Sequence, residues 1–260
     1  MRMFKRICLF NLVAACFLIM FFSSSAFSIT FEVSPAQISV DSLYHGSKVV
    51  VTGEVEAGED IIIKFSSPEK KAHLRKKGKR GGLLWMNVGE FEFNPVSDVY
   101  LLYSTQDISS MLTKDQQDKY ALGYDAFKRI VEVSPVSSES EKEKWVEEFI
   151  KFKENTGVYG HFTDQVETET NGGKKTFRLS LDWPYQAPPQ EYTVSVYAVK
   201  DNAVQNYNQM SLNVKKVGAL NFISDLAFNK ASIYGIVSIF IALLAGFIVS
   251  VIFKGGSGAH

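Results

Sequence analysis

Tyr192-Thr193-Val194-Ser195-Val196-Tyr197-Ala198-Val199 decides the fold class. Tyr192, Val194, Val196 and Ala198 fall on one side of an extended chain, and Thr193, Ser195 and Tyr197 on the other. That is the period of two that a strand imposes on its side chains. Asp201-Asn202 follows, then a second run from Ala203 to Val214, so the segment reads as a β-hairpin. Upstream, Lys175 to Asp182 alternates in the same way, with Phe177, Leu179 and Leu181 opposed to Arg178 and Ser180. Pro184, Pro188 and Pro189 keep the intervening connection out of a sheet.

The first part of the chain repeats the signal. Ile29 to Val33 is a short strand-like run ended by Ser34-Pro35. Lys48 to Val55 and Asp60 to Phe65 are rich in β-branched residues, and Gly82 to Val88 and Val99 to Ser104 continue the series. Short strands with turn signals at this spacing predict a mainly β, immunoglobulin-like sandwich.

The middle changes character. Thr113 with Gln116 and Ser138 with Glu141 have the spacing of capping boxes. Behind the second, Trp145, Val146, Phe149, Ile150 and Lys153 follow helical spacing. Helices are predicted at 113–120 and 139–154, within a helical insertion of the sandwich at about 105–156. Residues 124–133 read equally as helix or strand.

Both ends are apolar. Arg2, Lys5 and Arg6 precede the apolar run Ile7 to Phe22, and the small residues Ser23 to Ala26 follow. This is the order of a secretory leader, 1–28, with cleavage after Ala26 or Ser28. An uncleaved signal anchor is the alternative. A lipobox at Val13-Ala14-Ala15-Cys16 is disfavoured by the apolar residues after Cys16. Ala231 to Phe253 carries no charge and would reach about 35 Å as a helix, enough to cross a membrane. The expected organisation is therefore a leader (1–28), an extracytoplasmic β-rich domain (29–218), a juxtamembrane amphipathic segment (219–230), a transmembrane helix (231–253) and a short cytoplasmic tail (254–260). The protein would sit in a bacterial inner membrane with its main domain in the periplasm.

The 28 basic and 28 acidic side chains balance, which argues against a nucleic-acid partner. Both cysteines, Cys8 and Cys16, lie in the leader, so the mature domain would have neither disulfide nor thiolate. His45, His73, His161 and His260 share no metal-ligand spacing, and the chain contains no nucleophile elbow or phosphate loop. We expect no enzyme, cofactor or metal. His161 with Asp164 is a polar pair that reads best as ordinary loop polarity.

Two features invite contact. Lys70 to Arg80 is strongly basic, and Lys76, Lys77, Lys79 and Arg80 are candidate anion or partner contacts. The competing reading is a solvated hairpin whose like charges discourage edge pairing. In the terminal helix, Ser238, Ala242, Gly246 and Ser250 recur every four residues, with Gly235 and Ala245 beside them. These six form a candidate packing face for another transmembrane protein or a second copy.

Trp85-Met86-Asn87, Val99-Tyr100 with Ser104, Gly157-Val158-Tyr159, Tyr192 to Tyr197, Lys216-Val217-Gly218, Tyr234-Gly235 and Ala245-Gly246 occur in an order that resembles a family of uncharacterised proteobacterial transmembrane proteins. The resemblance runs from about residue 30 to residue 253. Pro189-Gln190-Glu191-Tyr192 departs from it where the family usually has a glycine before the tyrosine. Genes of the family often lie near those of sulfite-exporter-like permeases. The resemblance thus implies a non-enzymatic accessory partner of such a permease, with a tethered anion- or small-ligand sensor as the alternative.

Overall fold

The computed structural model describes residues 29–41, 43–80 and 84–253. The predicted leader, the tail at 254–260 and the start of the predicted strand at Gly82 lie outside the described residues. The elements are, in order, β1 (Thr30–Ser34), β2 (Gln37–Val40), β3 (Lys48–Glu56), β4 (Asp60–Ser66), β5 (Lys70–Arg80), β6 (Leu84–Val96) and β7 (Tyr100–Ser104). Then come α1 (Ile108–Met111), α2 (Lys114–Tyr120), α3 (Tyr124–Ile130), β8 (Glu132–Ser134) and α4 (Glu139–Asn155). The chain continues with β9 (Tyr159–Thr163), β10 (Glu167–Asn171), β11 (Lys174–Asp182), β12 (Glu191–Lys200), β13 (Ala203–Lys216), α5 (Gly218–Asn229) and α6 (Ala231–Phe253).

One sheet has the order β1-β3-β11-β10 and a second the order β2-β13-β12-β4-β7-β9. This is the immunoglobulin arrangement, with the first strand divided at Pro35 between the two sheets. Phe31, Val49, Val51, Phe177 and Leu179 of the first sheet and Ile61, Ile63, Phe65, Val194 and Val196 of the second belong to one buried apolar core. The β12–β13 turn has Asp201 and Asn202 both at positive φ, 52° and 61°. A two-residue turn of that hand matches the twist of the strands it joins. At the start of β12 the Tyr192 hydroxyl donates to the Pro188 carbonyl, the tyrosine corner of immunoglobulin domains. Two residues on stands Val194, so this corner is made without a cysteine beside it.

Gly53 lies between Phe31 and Phe177 in the register of the first sheet. A Cβ there would come within 2.6 Å of the Phe177 ring and of the Thr30 carbonyl oxygen. The absent side chain lets the two buried phenyl groups close over the strand.

The helical insertion falls where the sequence places it, and both N-caps form. Thr113 Oγ1 accepts from the Gln116 amide, and Ser138 Oγ accepts from the Glu141 amide. The Glu141 carboxylate accepts from the Ser137 amide, one residue before the cap. The ambiguous stretch resolves into α3 followed at once by β8. Alternation in β12 is weaker than the sequence suggests, because its second face is buried too. The insertion covers that face: the Tyr120 and Tyr197 rings meet edge-on at 5.6 Å, and Tyr100 packs on Phe127.

Candidate functional site

The basic run forms strand β5, paired antiparallel with β6, and β8 adds a third strand at the base of this hairpin. Its two faces have different fates. Ala72 and Leu74 are half-buried against the core, beside Phe91 and Phe93. These two phenyl groups pack on α4, with Phe91 on Trp145 at 4.2 Å and Phe93 on Phe149 at 4.7 Å between ring centroids. On the other face the register sets His73 opposite Glu92 and Arg75 opposite Glu90. Lys71 meets Glu92 at 2.7 Å, and Lys70 meets Asp98 at 2.7 Å. The Lys71 ammonium holds the Glu92 carboxyl below its usual range, chiefly through that hydrogen bond. The base of the run is therefore compensated, at Lys70 by Asp98 and at Lys71 by Glu92.

The four singled-out bases divide. The Lys76 ammonium lies over the Trp145 ring, 5.0 Å from its centroid. The register skips Val88 between the Lys76–Gly89 and Lys77–Asn87 pairs, a bulge that turns the rest of the hairpin. Beyond it, Lys77 and Lys79 are exposed. Arg80 ends the strand opposite Leu84. Sequence reasoning missed the other half of this tip: Leu84, Met86 and Val88 are 67%, 46% and 47% exposed. Their spacing of two was the available signal.

A second polar feature was not foreseen. Lys64 lies on the face of β4 that the insertion covers and donates to the Tyr120 carbonyl at 2.7 Å. Burial pushes its pKa down to about 8, against the opposing pull of Glu69. It lines a cavity of about 240 Å³ with Ser66, Ser67, Glu69, Tyr100 and Phe127. His161 is part of the same covered face, with the Tyr124 ring edge-on at 6.2 Å. Burial holds its pKa below the usual value, and the carboxylate that opposes this is Asp107. Asp164 lies past the end of β9 at positive φ, its amide donating to the Ser104 carbonyl.

α6 spans Ala231–Phe253 and contains an 18-residue window with a mean hydropathy of 2.9, long and apolar enough to cross a membrane. None of its side chains is buried. At about 100° per residue, Gly235, Ser238, Ala242, Ala245, Gly246 and Ser250 fall within an arc of roughly 140°. Ile239 and Val249 fall inside the same arc, so the small residues form a narrow groove. The Ser238 hydroxyl donates to the Tyr234 carbonyl at 2.8 Å and so needs no partner from another helix. Before α6, α5 carries Phe222, Ile223 and Phe228 exposed and Leu226 buried. Lys230 breaks the helix between the two.

No curated protein matches the chain. A family model described as "Putative transmembrane protein (Alph_Pro_TM)" matches residues 28–255, which take in both the sandwich and the apolar helix. The chain belongs to that family.

Proposed function

We propose that this protein is a membrane-anchored, non-enzymatic interaction subunit. Its sandwich is held on the periplasmic side of a bacterial inner membrane, beside a permease of the sulfite-exporter type. The observation that carries the reading is the small-residue line on α6, a helix with no buried side chain. Lipid does not drive apolar helices together, so close helix contact comes from surfaces that let backbones approach. At Gly235 and Gly246 an added Cβ meets nothing within 4 Å, leaving those places open to a neighbour. Arg2, Lys5 and Arg6 ahead of the apolar run Ile7 to Phe22, with the apolar span at Ala231–Phe253, support an orientation with the domain outside and residues 254–260 inside. Purification of the tagged full chain from mild detergent tests the role. A stoichiometric polytopic partner is the expected result, and recovery of the chain alone contradicts it.

A second reading, a tethered sensor of small anions, draws on the Lys64 cavity. It requires a sulfite- or sulfate-dependent rise in the melting temperature of the full chain that disappears in Lys64→Met.

A further inference from the structure

The hairpin and the membrane anchor leave the sandwich at the same end. Ser211 of β13 pairs with Thr193, Thr193 with Ser66, Ser66 with Tyr100 and Tyr100 with Tyr159. These residues form one row across the six-stranded sheet. β13 runs past that row to Lys216 and then through α5 into α6. β4 ends on the row at Ser66, and Lys70 opens β5 just beyond; β6 ends at Val96, just before β7 begins on the row at Tyr100.

The base of the hairpin is held by β8, by Phe91 on Trp145 and by Phe93 on Phe149. From Phe91 to Leu84 the strand extends roughly 23 Å further. Along that length Leu84, Met86, Asn87, Val88, Gly89 and Glu90 are all exposed. α5 is about 18 Å long, so the chain between the sheet and the membrane span is no longer than the reach of the hairpin.

The composition of the tip is one-sided. Between Lys76 and Val88 the chain has Lys76, Lys77, Lys79 and Arg80 and no acid, while the acids of the hairpin, Glu90 and Glu92, lie nearer its base. Bases and exposed aliphatic side chains on one two-stranded tip match a surface that is anionic outside and apolar just beneath.

We propose that this tip seats on the anionic phospholipid surface of the membrane that α6 spans. Lys77 and Lys79 meet headgroup phosphates, and Leu84, Met86 and Val88 enter the interfacial layer. A few bases at an anionic surface give a contact that is weak alone. The anchor makes it intramolecular, with an effective concentration in the millimolar range for a short linker, so a weak contact suffices. The seated hairpin would fix the tilt of the sandwich over the bilayer.

The test uses the full chain with Cys8→Ser and Cys16→Ser, in nanodiscs of phosphatidylcholine with or without phosphatidylglycerol. A polarity-sensitive label is placed at Met86→Cys or, as a control, at the exposed Thr168→Cys on β10. In anionic nanodiscs at low salt, the Met86 label should shift to the blue and be quenched by lipid-borne nitroxides, while the Thr168 label stays in water. Lys77→Gln with Lys79→Gln should lower the ratio of seated to free hairpin by about 25-fold, from roughly fivefold per base. Salt at 0.5 M should act in the same direction. A Met86 label that remains in water overturns the proposal, as does equal quenching in pure phosphatidylcholine. Release by inorganic phosphate at constant ionic strength would assign the tip to a free anion instead. Burial of the label only in the presence of a co-purified protein would assign it to that protein.

Discussion

Phe93 of β6 stacks on Phe149 of α4, their ring centroids 4.7 Å apart and their planes 29° from parallel. Both rings are fully buried, and with Phe91 on Trp145 and the β6–β8 pairing this contact joins the basic hairpin to the insertion that covers the sandwich. Phe93→Ala should cost about 3–5 kcal/mol, the usual range for a buried phenyl lost to a cavity. Amide exchange should then speed up in β5 and β6 while β12 and β13 stay protected. Uniform acceleration through all strands would mean that the hairpin is no separate unit.

Gly53→Ala tests the crossing of Phe31 and Phe177. The new Cβ meets a backbone carbonyl at 2.6 Å, which cannot rotate away as a side-chain end would. We expect a loss of about 1–3 kcal/mol in chemical denaturation, as for other overpacked cores. No change in the midpoint would contradict the packing described.

Lys64 should make stability rise with pH. Its pKa in the folded chain is about 8, against an ordinary value of 10.5. Below pH 8 the ammonium is charged whether the chain is folded or not, and its burial counts against the fold. Between the two values the unfolded chain holds a proton that the folded one has released, so unfolding takes up a proton and stability increases with pH. Above about pH 10 the buried tyrosines reverse the trend, since burial pushes Tyr103 and Tyr197 up to about 12. Stability measured from pH 8 to 9.5 should climb by about 1–2 kcal/mol in the parent. Lys64→Met should lose most of that climb, the remainder coming from Lys153, whose pKa burial also lowers, and an equal slope in the variant would remove Lys64 as the cause.

The orientation has its own test. A reporter fused after Lys216 should be active only if it functions outside the cytoplasm, and one fused after His260 only if it functions inside. The reverse pattern would turn the whole account over.

Where the determinants were local, the architecture was legible in the sequence. Asp201-Asn202 marked its hairpin because two positive φ angles in succession suit few residues. Thr113 and Ser138 marked their helices because a cap acts within one turn. β2, β10 and α1 escaped, being short elements with little periodic signal. The candidate surfaces were half legible. Charge at Lys70 to Arg80 was plain, but the placing of Glu90 and Glu92 opposite only its first half depends on a cross-strand register that no local pattern carries. Lys64 was invisible for the same reason: its burial comes from helices inserted more than forty residues later, which close over β4.

The central claim, that α6 packs on another transmembrane helix through its small face, is tested most directly by cysteine cross-linking in membranes. In a Cys8→Ser, Cys16→Ser background, single cysteines are placed at Ser238, Ala242 and Gly246, and on the opposite side at Ile236, Phe240 and Leu244. The account predicts cross-linked species from the first three positions only, lost when the helix also carries Ala242→Ile or Gly246→Ile at an unlabelled site. Equal cross-linking around the helix, or none from the small face, would contradict it.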